Sequence, residues 1–290
     1  MANTRQLKAR INTARNISKI TKAMEMVSAS KMRKAQDRAL AARDYSLALS
    51  DSLRRLSSAI NPDFHPLLRQ NPAGIELAVV IATDRGLCGS LNQNLFKKLI
   101  DWLKNHQGGQ IVAIGKKAVS FCQFYGLEIY AEFTSIPDAV TTADIVGLSQ
   151  LVTAGYINSE LKGVTLFFMD FVNTLTQKSK ELALLPLRYE PNQSEETLAS
   201  PGWKSEYLFE PDPQSILSEL LPMYIENLIY QAFLESRASE HSARMVTMKN
   251  ASENAKELVS ELLLIFNKSR QESITKELLE ITTATLSLES

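Results

Sequence analysis

Apolar and polar positions alternate with two different periods along this chain. Over residues 1–60, which contain neither glycine nor proline, Leu7, Ile11, Ala14, Ile17, Ile20, Met24 and Val27 step by threes and fours, and Leu49, Leu53, Leu56 and Ile60 resume the pattern. That spacing predicts one long helix of roughly 80 Å with an apolar seam. Asn3 with Gln6 has the form of a capping box, and Asn61-Pro62 is a stop signal. Residues 212–286 lack glycine and repeat the helical spacing, which predicts a second rod of roughly 110 Å. Asp212 stands at its N-cap, Pro213 at its first helical position, and Pro222 is expected to kink it near the start. A single helix cannot bury its own stripe, so each rod needs a partner.

All eleven glycines fall between Gly74 and Gly202. Within that stretch, residues 75–83 (IELAVVIAT), 110–115, 128–133 and 164–171 have the β-branched or alternating character of strands. Residues 91–106, 116–125 and 144–158 have helical spacing, and the polar residues 186–204 make a surface loop. Strands alternating with helices predict an α/β class: a βαβ-type, Rossmann-like domain with a mostly parallel sheet, inserted between two long terminal helices. The expected domains are residues 1–60, 61–207 and 208–290. The inserted domain can return the chain near where it left, so the two rods pair most simply as an antiparallel coiled coil.

Charge supports that pairing. The formal net charge of the chain is +0, yet residues 1–60 carry thirteen Lys and Arg against four acidic residues, and residues 208–290 carry seven against thirteen. Opposite ends attract and like ends repel. No apolar run reaches the roughly 18 residues of a membrane span, and the first residues lack the apolar core of a secretory signal, so the expectation is a cytosolic chain with no direct membrane insertion. Cys88 and Cys122 have no metal spacing and His65, His106 and His241 are scattered, so no metal and no cofactor is expected.

Three features invite a chemical reading. The loop at residues 84–90 (DRGLCGS) joins a strand to a helix, where phosphates often bind, but it matches no phosphate-binding motif and reads as a tight turn. Cys88 lacks a histidine base among the strand-end loops. Lys8, Arg15, Lys19 and Lys22 share one helix face, which suits nucleic acid or an acidic protein partner, but no aromatic residue precedes Tyr45 and no nucleic-acid reading motif is present.

Four longer segments then narrow the choice: residues 20–34 (ITKAMEMVSASKMRK), 83–92 (TDRGLCGSLN), 239–251 (SEHSARMVTMKNA) and 267–278 (NKSRQESITKEL). In this order and spacing they resemble the gamma subunit family of the rotary F-type ATP synthase, bacterial type, over essentially the whole chain. The resemblance implies a central rotor shaft, not an enzyme on its own, that couples ion flow through a membrane ring to ATP synthesis or hydrolysis elsewhere in the complex. Implied partners are the alpha and beta subunits of the catalytic ring, the epsilon subunit and the c-subunit ring, with no nucleic acid; the implied place is the cytoplasmic face of the bacterial inner membrane. Matching contact positions are Lys22, Met24, Arg33, Arg85, Arg237, Arg244, Arg270, Gln271 and Thr275. The rival readings are a small α/β enzyme or a basic-helix nucleic-acid binder, either dimerising through its coiled coil.

Overall fold

The computed structural model describes residues 4–57, 65–187 and 212–288. Helix α1 (Thr4–Ser57) leads into the alternating segment: β1 (Ile75–Ile81), α2 (Leu91–Asn105), β2 (Gln110–Ile114), α3 (Lys116–Tyr125), β3 (Ile129–Phe133), α4 (Val146–Ile157), β4 (Leu161–Phe171) and β5 (Gln177–Leu185). Helix α5 (Pro213–Leu288) closes the order and runs unbroken through Pro222. Its start is fixed by Asp212, whose Oδ1 accepts from the backbone N–H of Gln214 and Ser215 at 2.9 Å while its Oδ2 accepts from Ser215 Oγ. These bonds, led by the Ser215 hydroxyl, hold the Asp212 carboxyl below its ordinary range. The expected capping box at Asn3 and stop at Asn61-Pro62 lie outside the described residues, as does most of the expected 186–204 loop.

The sheet has the order β3-β2-β1-β4-β5. β1, β2, β3 and β4 pair in parallel and β5 runs antiparallel to β4. Strand β5 is absent from the sequence expectation because its residues, QKSKELALL, carry Lys178, Lys180 and Glu181 where apolar residues would announce a strand. Those charges suit an edge, where they discourage a further strand from pairing. Alternate residues of β1 face two cores: Leu77, Val79 and Ile81 pack with α4 and with Leu53, Leu56, Leu217, Leu221 and Phe233, and Ala78 and Val80 pack with Leu95, Leu99 and Trp102 of α2 and Cys122 of α3. Burial pushes the Cys122 thiol up to about 11, which keeps it an inert packing group.

The compact units of the chain do not follow element boundaries. One comprises Met1–Ser30 with Arg244–Ser290, the other Lys31–Ala243, so the sheet unit includes the second half of α1 and the first part of α5. Within the helical unit, Ser18 bonds Ser252; within the sheet unit, Ser46 bonds Asn227.

In the helical unit the seam differs from the expected one. Leu7, Ile11, Ala14, Ser18 and Ser28 are buried, whereas Ile17, Ile20 and Val27 are 47%, 59% and 56% exposed. From Ala14 the strict 3.5-residue repeat continues to Ser18, not to Ile17, and passes through half-buried Thr21 and Glu25 to Ser28. The facing stripe on α5 is Met248, Ser252 and Ala255, flanked by half-buried Met245, Val259, Leu262, Phe266 and Ser269. Small hydroxyl-bearing residues let the backbones approach closely, and the larger apolar residues one position away are left facing outward.

Candidate partner interface

The exposed faces of the helical unit carry most of the expected contact residues. On α1, Ile17, Ile20 and Val27 form an apolar stripe beside half-buried Met24, and Lys22 is exposed with its ammonium 3.0 Å from Glu25. On α5, no described side chain from residue 256 to 284 is buried. Leu264, Ile265, Ile274, Leu278, Leu279 and Ile281 are 48–72% exposed, and Arg270, Gln271 and Thr275 lie among them, also exposed. An apolar surface of this extent marks a place of association.

In the sheet unit the strand-end crevice is where an open α/β sheet of this topology takes a ligand, between β1 and β4 where the strand order reverses. Here that crevice is filled by α5. Arg237, 7% exposed, donates from Nη1 to Glu240 Oε2 at 2.9 Å and from Nη2 to the Ile136 carbonyl at 2.8 Å, with Asp84 Oδ2 4.0 Å away. Asp84 Oδ1 accepts from the Lys116 backbone N–H at 3.0 Å, so a carboxylate already occupies the N-terminus of α3. Ser236 Oγ accepts from Met169 N–H, and Ser239 Oγ donates to the Met169 carbonyl. The remaining cavity, lined by Thr83, Gly115, Ser236, Arg237 and Glu240 among others, is about 10 Å³, roughly the space of one water. The loop after β1 is stapled as well: Thr83 N–H donates to Asn92 Oδ1, Asn92 Nδ2 to Thr83 Oγ1, and Thr83 Oγ1 to the Arg85 carbonyl. The tight-turn reading of residues 84–90 accounts for these bonds.

A second tie runs through the loop before α4. Asp138 Oδ2 accepts from Lys31 Nζ at 2.6 Å, its Oδ1 lies 3.7 Å from His241 Nε2, and its carbonyl accepts from Arg38 at 3.5 Å. Burial works to raise the Asp138 carboxyl, but Lys31, His241 and Arg237 outweigh it and hold it below its ordinary range.

Of the expected contact residues, Lys22, Arg33, Arg85, Arg270, Gln271 and Thr275 are exposed and Met24 is half-buried. Arg237 and Arg244 are buried, at 7% and 8% exposure. Arg237 is engaged by Glu240 and Ile136 inside the sheet unit and presents no guanidinium outward. Sequence reasoning missed Ile17, Ile20 and Val27 as surface residues by assigning them to the seam; the strict repeat from Leu7, Ile11 and Ala14 was the signal that separates them. Among the described residues, no group of three or more His, Cys, Asp or Glu could hold a metal ion, and no helix is long and apolar enough to cross a membrane.

An α/β domain with a self-filled ligand crevice, set between terminal helices whose outer faces are bare and apolar, defines a protein built to be held by partners. The profile of a family described as ATP synthase matches residues 3–288, and the chain belongs to that family. A protein of Paracidovorax citrulli (strain AAC00-1) named ATP synthase gamma chain is 42% identical over 286 residues, covering 97% of this chain and 98% of its own. One of the same name from Cupriavidus metallidurans is 41% identical over 287 residues, covering 97% and 98%. Among solved structures, a chain of the Tetrahymena thermophila mitochondrial ATP synthase central stalk and c-ring aligns with TM-score 0.61 at 25% identity, over 80% of this chain and 99% of that one. A chain of the Euglena gracilis mitochondrial ATP synthase rotor shares the fold, with TM-score 0.64 at 19% identity, over 93% of this chain and 98% of that one.

Proposed function

We propose that this chain is the central rotor shaft of an F-type ATP synthase, coupling ion flow through a membrane ring to rotational catalysis of ATP synthesis and hydrolysis in the beta subunits. The observation that carries the reading is the bare end of α5, where apolar side chains from Leu264 to Ile281 face outward together with Arg270, Gln271 and Thr275. A ring of alpha and beta subunits would cover that surface. Because the shaft offers a different face to each catalytic subunit, it biases them differently at any instant, and differential contact is what shifts a conformational equilibrium.

The contact set is Lys22, Met24, Arg33, Arg85, Arg270, Gln271 and Thr275. Lys22 and the basic face of α1 suit acidic partner segments, and the apolar stripe of Ile17, Ile20 and Val27 adds buried area once covered. Arg237 and Arg244, both buried in the chain by itself, complete the proposed contact set. The epsilon subunit and the c-subunit ring are the further partners, and the chain sits peripherally on the cytoplasmic face of the bacterial inner membrane. Asp84 takes the Lys116 N–H at the start of α3, and Glu240 takes the Arg237 guanidinium. The test is reconstitution: the isolated chain turns over no ATP, and its addition to purified alpha and beta subunits raises their ATPase activity. Turnover by the chain alone, or indifference of the alpha–beta assembly to it, overturns the proposal.

A further inference from the structure

One buried carboxyl oxygen in the sheet unit lacks a donor. Glu235, on α5, has an inaccessible Oε2 with no hydrogen-bond partner, and one turn earlier Gln231 Oε1 is in the same condition. The neighbour of Glu235 is itself an acceptor, the carboxylate of Asp170 near the end of β4. Two carboxylates cannot hydrogen-bond unless one is protonated. A proton on Glu235 makes its carboxyl a donor toward Asp170 and leaves one negative charge where there would be two.

We propose that Glu235 holds a proton beside Asp170 and forms a pH-sensitive seat for α5 at the end of β4. Lys180 of β5 lies 4.0 Å from Asp170, and Lys178 stands opposite Asp170 in the β4–β5 register. From α1, Arg33 and Asp37 line the open groove of about 590 Å³ that Glu235 also lines with Phe171 and Gln231. Burial is the first cause that raises the Glu235 carboxyl, to about 7, followed by the bond to and the charge of Asp170; Lys180 and Gln231 pull the other way and do not cancel it.

Loss of the proton puts two like charges side by side beneath a helix that, one residue on, bonds the strand through Ser236 to Met169 N–H. The folded pKa is raised above the unfolded value, so the contribution to stability is full below the ordinary carboxylate range. It is lost as pH rises through about 7. The charge state of one side chain therefore sets how firmly α5 is held on the sheet.

The test uses the full chain. The side-chain carboxyl carbon of Glu235, followed by NMR with carbon-labelled glutamate, should titrate with a midpoint near 7, and Asp170→Asn should move that midpoint down. In parallel, the melting temperature of the wild type should fall between pH 5 and pH 8 more steeply than that of Glu235→Gln, which keeps the donor and cannot ionise. A Glu235 midpoint of about 4–5, the ordinary carboxylate range, or a midpoint unmoved by Asp170→Asn, overturns the proposal. So does a Glu235→Gln variant that melts with the wild-type pH dependence; if that variant does not fold, the Asp170→Asn titration decides alone.

Discussion

Ser18 and Ser252 face each other in the helical unit with their hydroxyl oxygens 3.5 Å apart, and each hydroxyl is placed to donate to the other's backbone carbonyl, at 3.4 and 3.3 Å. Both are buried. A leucine zipper would put bulk at this layer; here the seam uses hydroxyls and brings the helices close. The seam assignment can be read from three substitutions. Ser18→Leu should cost about 1–3 kcal/mol through overpacking, and Ser18→Ala about 0.5–1.5 kcal/mol for one lost hydrogen bond. Ile17→Ser, on the exposed side, should stay within about 0.5 kcal/mol. Urea midpoints of the three variants check this order; a stabilising Ser18→Leu with a costly Ile17→Ser would return the seam to Ile17.

Arg237 sets its guanidinium into the strand-end crevice. Replacing it with Met leaves Glu240, the Ile136 carbonyl and Asp84 facing a side chain that cannot donate. Removing one partner of a buried pair costs about 3–5 kcal/mol. Arg237→Met and Glu240→Gln together should cost less than the sum of the two single changes, because the bond between them is lost only once. Equilibrium unfolding of the single and double variants measures both effects, and full additivity would show that the two residues do not act as a pair.

Gly115, at the end of β2, has φ +88°, and a Cβ there would lie 2.5 Å from the Ala82 carbonyl oxygen of the neighbouring strand end. Both the backbone conformation and the close approach require glycine. Gly115→Ala should cost at least about 1–3 kcal/mol, seen as a lowered denaturant midpoint with unchanged helix content. An unchanged midpoint would show that the strand ends can part without penalty.

Much of this architecture is legible in the amino-acid sequence. Apolar spacing marked both terminal helices, β-branched runs marked β1, β2 and β4, and Asp212-Pro213 marked the start of α5. Strand β5 was not legible because an edge strand's charges hide its alternation. The segment SRASEHS before Arg244 is polar apart from Ala238, yet Ser236, Arg237, Ser239, Glu240, His241 and Ser242 are all buried. Their partners are Met169, Ile136, Asp138 and Thr174, far away in sequence, and only the folded sheet brings those groups to the helix. The contact residues proposed on α5 come from the NKSRQESITKEL segment, whereas periodicity alone gives no reason to prefer Arg270 or Gln271 over their neighbours.

Arg270 and Gln271 lie where no described side chain of α5 is buried, so their role separates cleanly from stability. The double change to Ala should leave the melting curve of the isolated chain within about 0.5 kcal/mol of wild type. It should weaken assembly with alpha and beta subunits by about tenfold or more, the loss of a charged hydrogen bond of about 1.5–3 kcal/mol. Reconstituted ATPase as a function of chain concentration reads that shift. A large drop in melting temperature would make the pair structural instead.

The most direct measurement of the central claim is hydroxyl-radical footprinting of α5 with and without purified alpha and beta subunits. Leu264, Ile265, Ile274, Leu278, Leu279 and Ile281 are all exposed in the chain by itself and should label readily. Mixing with the alpha–beta assembly should protect them together, while Phe124 on α3, 83% exposed, keeps its labelling. Unchanged labelling of the α5 residues in an assembly that has taken up the chain would contradict the account.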